Sequence, residues 1–301
     1  MSRPRISLII PCFNMSKYIE QTLVSIINQD FGNLELIVVD GGSNDGTLEI
    51  LEGYKKHFAF YISEKDDGQY DAIKKGFSKA TGDILCWLNA DDIYFPWTLE
   101  IVSTIFERNS GIKWLCGLPA FLDEKGLLKK IYTNISAKDK NAIMNGWYQK
   151  DGFGFLQQES MFWKKDLYTK VGGLNLKYSL AADFELWTRF AEYSELYTVN
   201  LPLAAFRMRK SSLSKANEKG YLKEIKSICG VKKKIPLPFR ILGKYMFMNK
   251  ILRLLKWKRT KIINRPLLTD EFIFEERVCS FSSLSLSQLL LEYSQNKNSE
   301  Y

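Results

Sequence analysis

The chain of 301 residues lacks the patterns of several common kinds of site. It has one histidine, His57, and its five cysteines are scattered and never spaced as C-x-x-C, which argues against a zinc site and a disulfide framework. Cysteines used in this way fit a reducing cytosol. No stretch approaches the roughly 18 uninterrupted apolar residues that span a bilayer, and the run Ile6–Ile10 is too short for a secretory signal. The sequence therefore predicts a cytoplasmic protein.

Two phosphate-binding signatures are absent as well. The chain has no G-x-G-x-x-G fingerprint, which disfavours a dinucleotide site, and no glycine-rich loop that ends in Gly-Lys-Ser or Gly-Lys-Thr. We expect a nucleotidyltransferase to need a basic, glycine-rich triphosphate loop near the N-terminus, and none is present. The loop that is present, Asp40–Gly46, follows an apolar run. Its carboxylate Asp40 could accept a hydrogen bond from a nucleotide base, or the loop could be an ordinary turn that caps the next helix.

Positive charge is concentrated near the C-terminus. Residues 223–265 contain 14 Lys or Arg and one acid, Glu224, which gives +13 locally and leaves −4 for the rest of a chain with a net charge of +9. Within this segment, residues 241–257 place apolar side chains at helical spacing among basic ones, the pattern of a cationic amphipathic helix. Such a helix lies on an anionic membrane surface or packs on the rest of the protein. No motif for nucleic-acid binding accompanies the charge.

Short apolar runs alternate with helical patterns in the first part of the chain, and a hydrophobic content of 46% is ample for a buried core. The predicted strands are residues 6–10, 34–39, 58–63 and 84–88, and the predicted helices are residues 16–28, 47–56 and 70–80. This order is typical of an open, mainly parallel sheet with helices on its faces. Ligands bind beyond the carboxyl ends of such strands, so we expect four loops, at residues 11–14, 40–45, 64–68 and 89–92, to meet at one rim.

The pattern is looser beyond Asp92. Residues 97–107, 164–171 and 183–192 predict helices, residues 113–121 and 127–133 predict strands, and Gly152–Gly154 interrupts the chain before an apolar run at 156–163. The polar residues Gln157–Ser160 within that run fit an ordinary strand with one solvated face. We expect this part of the chain to form the half of the site that binds an acceptor substrate.

The strand predicted at residues 84–88 leads into Asn89-Ala-Asp91-Asp92 and so ends on two adjacent carboxylates. Neighbouring carboxylates repel each other, and a divalent cation in a cleft at the strand end would neutralise them. Mg²⁺ and Mn²⁺ prefer oxygen ligands of this kind. An isolated Asp-Asp pair can instead cap a helix, so the pair indicates a metal-diphosphate site only together with other motifs.

Three motifs supply that context by their order and spacing. They are residues 10–14 (IPCFN), residues 38–47 (VVDGGSNDGT) and residues 89–92 (NADD). Together they resemble the inverting glycosyltransferases of family 2, which have the GT-A, or nucleotide-diphospho-sugar transferase, fold. The resemblance covers roughly residues 5–215. It implies a nucleotide-sugar donor, usually linked to UDP, and a hydroxyl acceptor.

The resemblance also implies roles for individual donor-side residues. It places Pro11 and Phe13 against the base, Asp40 on a base nitrogen, Asp67 near the nucleoside, and Asp91 and Asp92 at the ribose and the Mg²⁺ or Mn²⁺ ion. Asn89 stands where many relatives carry the first Asp of a D-x-D triplet. The resemblance does not decide whether Asp91 or Asp92 is the direct ligand of the metal.

On the acceptor side, the resemblance implies that Gln158 lines the sugar pocket and that Asp183 is the catalytic base. An inverting displacement needs such a base to take the proton of the acceptor hydroxyl. Taken alone, Asp183 would be an acid interacting with a helix N-terminus. Arg207 and Arg209 would close over the diphosphate, because paired arginines suit phosphate geometry.

These patterns predict a GT-A-like glycosyltransferase domain at residues 1–215 and a basic, mainly helical extension at residues 216–301. The expected reaction is metal-assisted, inverting transfer of a hexosyl group from a UDP-sugar to a lipid-linked or growing surface polysaccharide. The expected location is the cytoplasm, as a peripheral protein on the cytoplasmic face of the membrane. The alternatives are a nucleotidyltransferase and a non-catalytic, membrane-binding module on a degenerate transferase scaffold. The retention of Asp91, Asp92 and Asp183 speaks against the second alternative, and no nucleic-acid partner is expected.

Overall fold

The structure, a computed structural model, describes residues 3–132, 138, 140–148, 155–209 and 217–230, together with the backbone of residues 259–264 and 273–278. Three predicted features lie outside these residues: the domain boundary at residue 215, the amphipathic helix at 241–257 and the glycine break at 152–154.

The described residues form an α/β fold. The strands are β1 (Ile6–Cys12), β2 (Leu34–Asp40), β3 (Phe60–Ser63), β4 (Ile84–Trp87), β5 (Ile93–Tyr94), β6 (Trp114–Cys116), β7 (Ala120–Leu122), β8 (Leu128–Ile131), β9 (Met161–Lys164), β10 (Tyr197–Val199), β11 (Ala204–Arg207), β12 (Arg259–Asn264) and β13 (Ile273–Val278). The helices are α1 (Ile19–Ile27), α2 (Thr47–Tyr54), α3 (Gln69–Lys79), α4 (Thr98–Arg108), α5 (Lys140–Met144), α6 (Lys165–Lys170), α7 (Ala182–Tyr193) and α8 (Glu218–Cys229).

The main sheet has nine strands in the order β13-β12-β10-β6-β9-β4-β1-β2-β3. Strands β9 and β13 run antiparallel to their neighbours, and every other pairing in this sheet is parallel. A second sheet has the order β5-β11-β7-β8. The predicted open, mainly parallel sheet with helices on its faces is therefore confirmed.

Strand β1 shows why the sheet is covered on both faces. All seven of its residues are buried, as expected for a central strand of a parallel sheet. Leu8 packs into one core with α1 and α4, whereas the next residue, Ile9, packs into the other with α3. Helix α3 comes very close to the sheet, because a Cβ atom on Gly76 would lie 2.6 Å from Cγ2 of Ile9.

An aromatic cluster fills the core beneath the rim of β4 and β9. Trp87, at the end of β4, stacks on Trp187 of α7 with ring centroids 5.8 Å apart, and Trp163 of β9 lies edge-on to Trp87 at 5.5 Å. Trp114 of β6 stacks on Trp187 at 5.9 Å. Large buried rings of this kind fix the positions of the strand ends that carry polar residues.

Two local predictions are wrong in detail. Residues 113–121 form two strands, β6 and β7, which belong to different sheets, and Pro119 between them has no N–H to donate to a ladder. Gln158–Ser160 form a buried 3-10 turn, whereas we expected a strand with one solvated face. In the extension, α8 is accompanied by β12 and β13, which the sequence did not predict. No helix among the described residues is both long and apolar enough to cross a bilayer.

Candidate active site

The loops after β1, β2, β3 and β4 meet at one rim, as the sequence predicts. The loop after β1 is tied to the loop after β2, because the amide of Asn14 donates to Oγ of Ser43 at 2.7 Å and the amide of Asn44 donates to Oδ1 of Asn14 at 2.9 Å. The loop after β3 joins them through the amide of Glu64, which donates to the carbonyl of Asp40 at 3.0 Å. These bonds hold the rim together before any ligand binds.

Asp40, at the end of β2, is fully buried and holds its own loop in shape. Its Oδ2 accepts hydrogen bonds from the amides of Gly42 and Ser43, at 3.0 and 2.9 Å, and from the hydroxyl of Ser63 at 2.7 Å. Its Oδ1 accepts from the hydroxyl of Ser43 at 2.5 Å. The structure thus gives Asp40 a structural role, and its predicted contact with a base stays a prediction.

Of the two residues predicted to lie against the base, only Phe13 faces outward. Its side chain is 55% exposed, although it follows directly on a fully buried strand. Pro11 is buried within β1, where it pairs with Val39 of β2. An exposed aromatic ring at a rim that is otherwise polar is a ready surface for a nucleotide base to stack on.

The loop after β3 presents a neighbouring aspartate that the sequence analysis missed. Asp67, the predicted nucleoside contact, is exposed, whereas Asp66 is partly buried and reaches towards Gly41. A Cβ atom on Gly41 would lie 2.7 Å from Oδ2 of Asp66, so only glycine leaves room for this carboxylate beside the Asp40 loop. Burial raises the pKa of Asp66 above its usual value. The spacing of two adjacent acids does not reveal which one turns inward.

The two aspartates after β4 occupy different environments. Asp92 is fully buried, and its Oδ1 accepts from the amide of Arg207 at 2.8 Å while its Oδ2 accepts from Nδ2 of Asn89 at 3.2 Å. Asp91 is 6% exposed, and its Oδ2 lies 2.5 Å from Nε of Arg209, close enough for an ion pair although not aligned as a hydrogen bond. Asp91 is therefore the member of the pair that lies nearer to solvent.

Arg207 packs against the turn that contains Asp91 and Asp92, the two-aspartate turn, and hydrogen-bonds to it. Its side chain is 1% exposed, its Nε donates to the carbonyl of Asp91 at 2.6 Å and its Nη2 donates to Oε1 of Gln21 at 2.5 Å. The guanidinium groups of Arg207 and Arg209 both lie over the ring of Tyr18, at 5.3 and 5.1 Å. The predicted closure of Arg207 over a diphosphate would require it to leave these partners.

Gln158 and Glu159 approach the rim from the start of β9. Nε2 of Gln158 donates to the carbonyl of Trp87 at 2.7 Å, which joins this turn to the end of β4. Both side chains are buried, and both keep one oxygen atom, Oε1, without a hydrogen-bond partner. Unpaired buried oxygens at this place are costly, and a ligand or a cation could supply their partners.

Three buried or nearly buried carboxylates, Asp91, Asp92 and Glu159, are thus gathered in one cluster. Burial, reinforced by the charges of Asp91 and Glu159, raises the pKa of Asp92 well above its usual value. Burial also raises the pKa of Glu159 to about 8, and the charges of Asp91 and Asp183 act in the same direction. We call Asp91, Asp92 and Glu159 the carboxylate cluster. Positive charge placed beside it would relieve the repulsion.

Asp183 lies at the start of α7, close to the same cluster. Its Oδ1 accepts a hydrogen bond from the hydroxyl of Tyr70, on α3, at 3.0 Å. Burial raises the pKa of Asp183, and the hydrogen bonds from the amide of Phe184 and the hydroxyl of Tyr70 oppose that rise. The predicted base therefore combines raised basicity with a fixed orientation. Sequence reasoning did not find Tyr70, because nothing in its spacing links it to a residue more than one hundred positions away.

The donor set fits a cation held by few protein ligands. Among the residues that the structure describes, no group of three or more His, Cys, Asp or Glu side chains is arranged as a ready-made metal site. Both oxygens of Asp92 already accept hydrogen bonds, whereas Asp91 is paired through Oδ2 alone among the contacts described above. Mg²⁺ is commonly bound by one or two carboxylates together with substrate phosphates and water. The side chains at the site are compatible with that arrangement.

Comparison of the sequence with known proteins finds similarity to glycosyltransferases. The profile of the family described as Glycosyl transferase family 2 matches residues 7–169, more than half of the chain. The chain is similar to the PGL/p-HBAD biosynthesis glycosyltransferase of Mycobacterium bovis, with 29% identity over 191 residues that cover 62% of this chain and 69% of that relative.

Two solved structures share the fold. The S. aureus TarS fragment 1–349, solved in complex with UDP-GlcNAc, aligns with a TM-score of 0.57 over 83% of this chain and 73% of that one, at 16% identity. The chain covers 43% of a longer TarS chain. A mannosyltransferase from Pyrobaculum calidifontis, solved in complex with GDP-Man and Mn²⁺, aligns with a TM-score of 0.57 over 100% of this chain and 82% of that one, at 17% identity.

Proposed function

The chain belongs to glycosyl transferase family 2, and from that premise we propose that it transfers a sugar from a nucleotide-sugar donor to a hydroxyl acceptor by an inverting, metal-assisted displacement. The observation that supports this proposal best is the position of α3. Nε2 of Gln69 donates to Oδ1 of Asn89, beside the two-aspartate turn, at 2.5 Å, and the hydroxyl of the next residue, Tyr70, donates to Asp183. The start of α3 thus connects the side of the site where the diphosphate would leave to the proposed base, Asp183.

The donor nucleotide would bind at the rim of β1, β2 and β3. The exposed ring of Phe13 offers a stacking surface, and Asp66 and the Asp40 loop offer polar groups for the base and ribose. UDP is the first candidate, because the resemblance in sequence implies it and TarS has been solved with UDP-GlcNAc. GDP is the second, because the mannosyltransferase has been solved with GDP-Man.

Asp91 would hold the cation, Mg²⁺ or Mn²⁺, at the diphosphate. When bound, the cation supplies positive charge that stabilises the departing diphosphate. Asp92 and Arg207 would act beneath it, because the amide of Arg207 fixes Asp92 and its guanidinium fixes the carbonyl of Asp91. Arg209, paired with the carboxylate of Asp91, is the arginine placed to exchange that partner for a phosphate.

Asp183 would take the proton of the acceptor hydroxyl while the hydroxyl oxygen attacks the anomeric carbon from the side opposite the diphosphate, and the bond from that carbon to the diphosphate would break. This single displacement inverts the anomeric configuration. The raised pKa of Asp183 makes it a stronger base than an exposed aspartate, and the hydrogen bond from Tyr70 holds one of its oxygens in place. Gln158 and Glu159 would line the sugar pocket between Asp91 and Asp183.

The acceptor and the setting belong to the same proposal. A lipid-linked or growing surface polysaccharide, met by a peripheral protein at the cytoplasmic face of a membrane, would use the positive charge of residues 223–265. Lys223 and Lys226 of α8 are exposed in the part of this segment whose side chains the structure describes.

Calorimetric titration of UDP, GDP and dTDP, each with and without Mn²⁺, tests the donor site. We expect one nucleotide to bind in a metal-dependent manner, and Asp91→Ala to abolish the metal dependence. Asp166→Ala removes an acid that pairs with Lys113 away from the rim, at 2.7 Å, and serves as the matched control.

Two results would contradict the proposal. Failure of all three nucleotides to bind would remove the donor site, and a product that retains the anomeric configuration of the donor would remove the inverting displacement. If a nucleotide binds without metal, and binds equally well to Asp91→Ala, the assignment as a transferase is kept but Asp91 is not a metal ligand.

A further inference from the structure

A glutamate from the C-terminal part of the chain caps the loop that leads to Asp183. Glu224, on α8, accepts four hydrogen bonds from this loop. The amide and hydroxyl of Ser179 donate to its Oε1 at 3.0 and 3.1 Å, and the amides of Leu180 and Ala181 donate to its Oε2 at 2.9 and 2.8 Å. The first amides of a helix have no acceptor within it, and Ala181 is the N-cap of α7. Here a distant helix supplies it, in place of a side chain at the N-cap.

Apolar packing holds α8 against the same place. Ile225 is 1% exposed and packs with Ala181 and Phe184 in a small separate core, against which Tyr221 also lies. Asp183 lies between Ala181 and Phe184 at the start of α7. The contact between α8 and the start of α7 is therefore both polar and apolar, and it lies beyond the family match at residues 7–169.

The carboxylate of Asp183 is thus fixed by two separate elements. Tyr70 of α3 donates to its Oδ1 directly, at 3.0 Å, and the same hydroxyl lies 3.4 Å from the carbonyl of Leu180. Glu224 acts on the backbone of residues 179–181 and so sets where α7 begins. A shift of about 1 Å in a catalytic group can lower a rate by about 100-fold, so both supports bear on catalysis.

We propose that Glu224 is a positioning residue for Asp183, so that α8 forms part of the catalytic unit. This inference rests on the proposed function, in which Asp183 is the base. Without Glu224, water can solvate the three amides and the loop can stay folded, but the start of α7 loses its fixed place. The turnover number should then fall while nucleotide binding, at the other side of the rim, stays unchanged.

The pH dependence of the reaction separates this role from a merely structural one. Among the residues that the structure describes, the titratable groups that face Asp183 are Tyr70 from α3, Tyr221 and Glu224 from α8, and Glu159 from the 3-10 turn. The negative charge of Glu224 raises the pKa of Asp183, whereas the hydrogen bond from Tyr70 lowers it. Removal of Glu224 should therefore move the acid limb of the turnover profile to lower pH, and Tyr70→Phe should move it to higher pH.

The experiment measures release of nucleoside diphosphate from UDP-glucose, UDP-N-acetylglucosamine and GDP-mannose by the full chain, with water and methyl glycosides as acceptors. Glu224→Ala should lower the turnover number by about 10- to 100-fold, Glu224→Gln should lower it less because the amide keeps one acceptor oxygen, and the dissociation constant for the nucleotide should not change. Glu192→Gln, an exposed change on α7, is the control.

Hydrogen exchange of the amides of residues 179–181 and the urea midpoint are measured on the same variants. Faster exchange at these amides, with a native midpoint and an acid limb moved to lower pH, supports the proposal. Unchanged turnover and an unchanged acid limb in Glu224→Ala would overturn it, as would a loss of turnover that merely follows a loss of folded protein. A wild type that binds no nucleotide contradicts the proposed function instead, so the two failures are distinguishable.

Discussion

Asp40 and Asp92 are both fully buried, and both lie at the carboxyl end of strands that flank β1, yet their surroundings are opposite. Asp40 accepts four hydrogen bonds, three of them from its own loop and one from Ser63. Asp92 accepts two, and it lies among other carboxylates that help to raise its pKa. One region of the rim is complete in itself, and the other is electrostatically incomplete.

From this difference we infer different roles for the two regions in ligand binding. Loops whose donors and acceptors are already paired can present Phe13 and Asp66 to a ligand without reorganising, which favours affinity. A cluster of three carboxylates in which one, Asp91, is paired with an arginine gains most when a cation and a diphosphate arrive. We therefore expect substitutions on the Asp40 side to affect the protein alike with and without metal, and substitutions in the carboxylate cluster to depend on it.

The largest expected effect is on stability and contrasts the two buried aspartates directly. Asp40→Asn should lower the free energy of unfolding by about 3 kcal/mol, because an amide NH₂ group would face donors that now bond to a carboxylate. Asp92→Asn should change it by less than about 1 kcal/mol in metal-free buffer, since an acceptor for the amide of Arg207 remains and the repulsion among the buried carboxylates is relieved. Urea unfolding in EDTA measures both. Equal losses in the two variants would break the comparison.

A smaller effect is expected on binding. Phe13→Ala should weaken binding of the nucleotide by about 2 kcal/mol, the usual worth of stacking a base on an aromatic ring. The loss should be the same with and without Mn²⁺, because Phe13 lies on the complete side of the rim. Calorimetry gives the dissociation constants, and Tyr193→Ala, which removes a ring 51% exposed on α7, is the control. A loss confined to the Mn²⁺ titration would move Phe13 to the metal-dependent region.

The last expected effect is a pH dependence of stability. The pKa of Glu159 is about 8 in the folded protein, above its usual value, so the folded chain retains a proton that the unfolded chain has released. The stability of metal-free wild type should therefore fall as the pH rises from about 4.5 to 8. Glu159→Gln removes this contribution, so the free energy of unfolding of the variant relative to wild type should be higher at pH 8 than at pH 5. A constant difference between the two proteins would show that Glu159 titrates normally.

The sequence predicted the first half of the fold well, because β1 to β4 and the helices between them have clear patterns. Leu34–Asp40 reads as an apolar run that ends on a carboxylate, and the burial of that strand leaves little choice of structure. The second half was harder, since short strands such as β6 and β7 are decided by which sheet they join, and local sequence does not carry that information. The same reason applies to β12 and β13, which were not predicted from local sequence.

The site was predicted in outline and not in its contacts. Motifs singled out Asp40, Asp91 and Asp183, whose roles stay predictions, but the side that each neighbour faces depends on tertiary packing. Asp66 turns inward because Gly41 leaves space for it, and Arg207 is buried because the two-aspartate turn closes over it. Tyr70 bonds to Asp183, and Glu224 bonds to the loop just before it, from positions far apart in the chain. Such contacts cannot be read from spacing.

The reversed direction of β9 has a consequence for how such a site can be varied. Because β9 runs antiparallel to β4, the beginning of β9 and the end of β4 reach the rim together. The two residues joined there, Trp87 and Gln158, are 71 positions apart in sequence. Because a hydrogen bond joins them directly, a change in a surface loop of the intervening segment need not displace either strand end. Substrate preference can then differ between related chains through such loops, while the strand ends that carry the polar residues keep their positions.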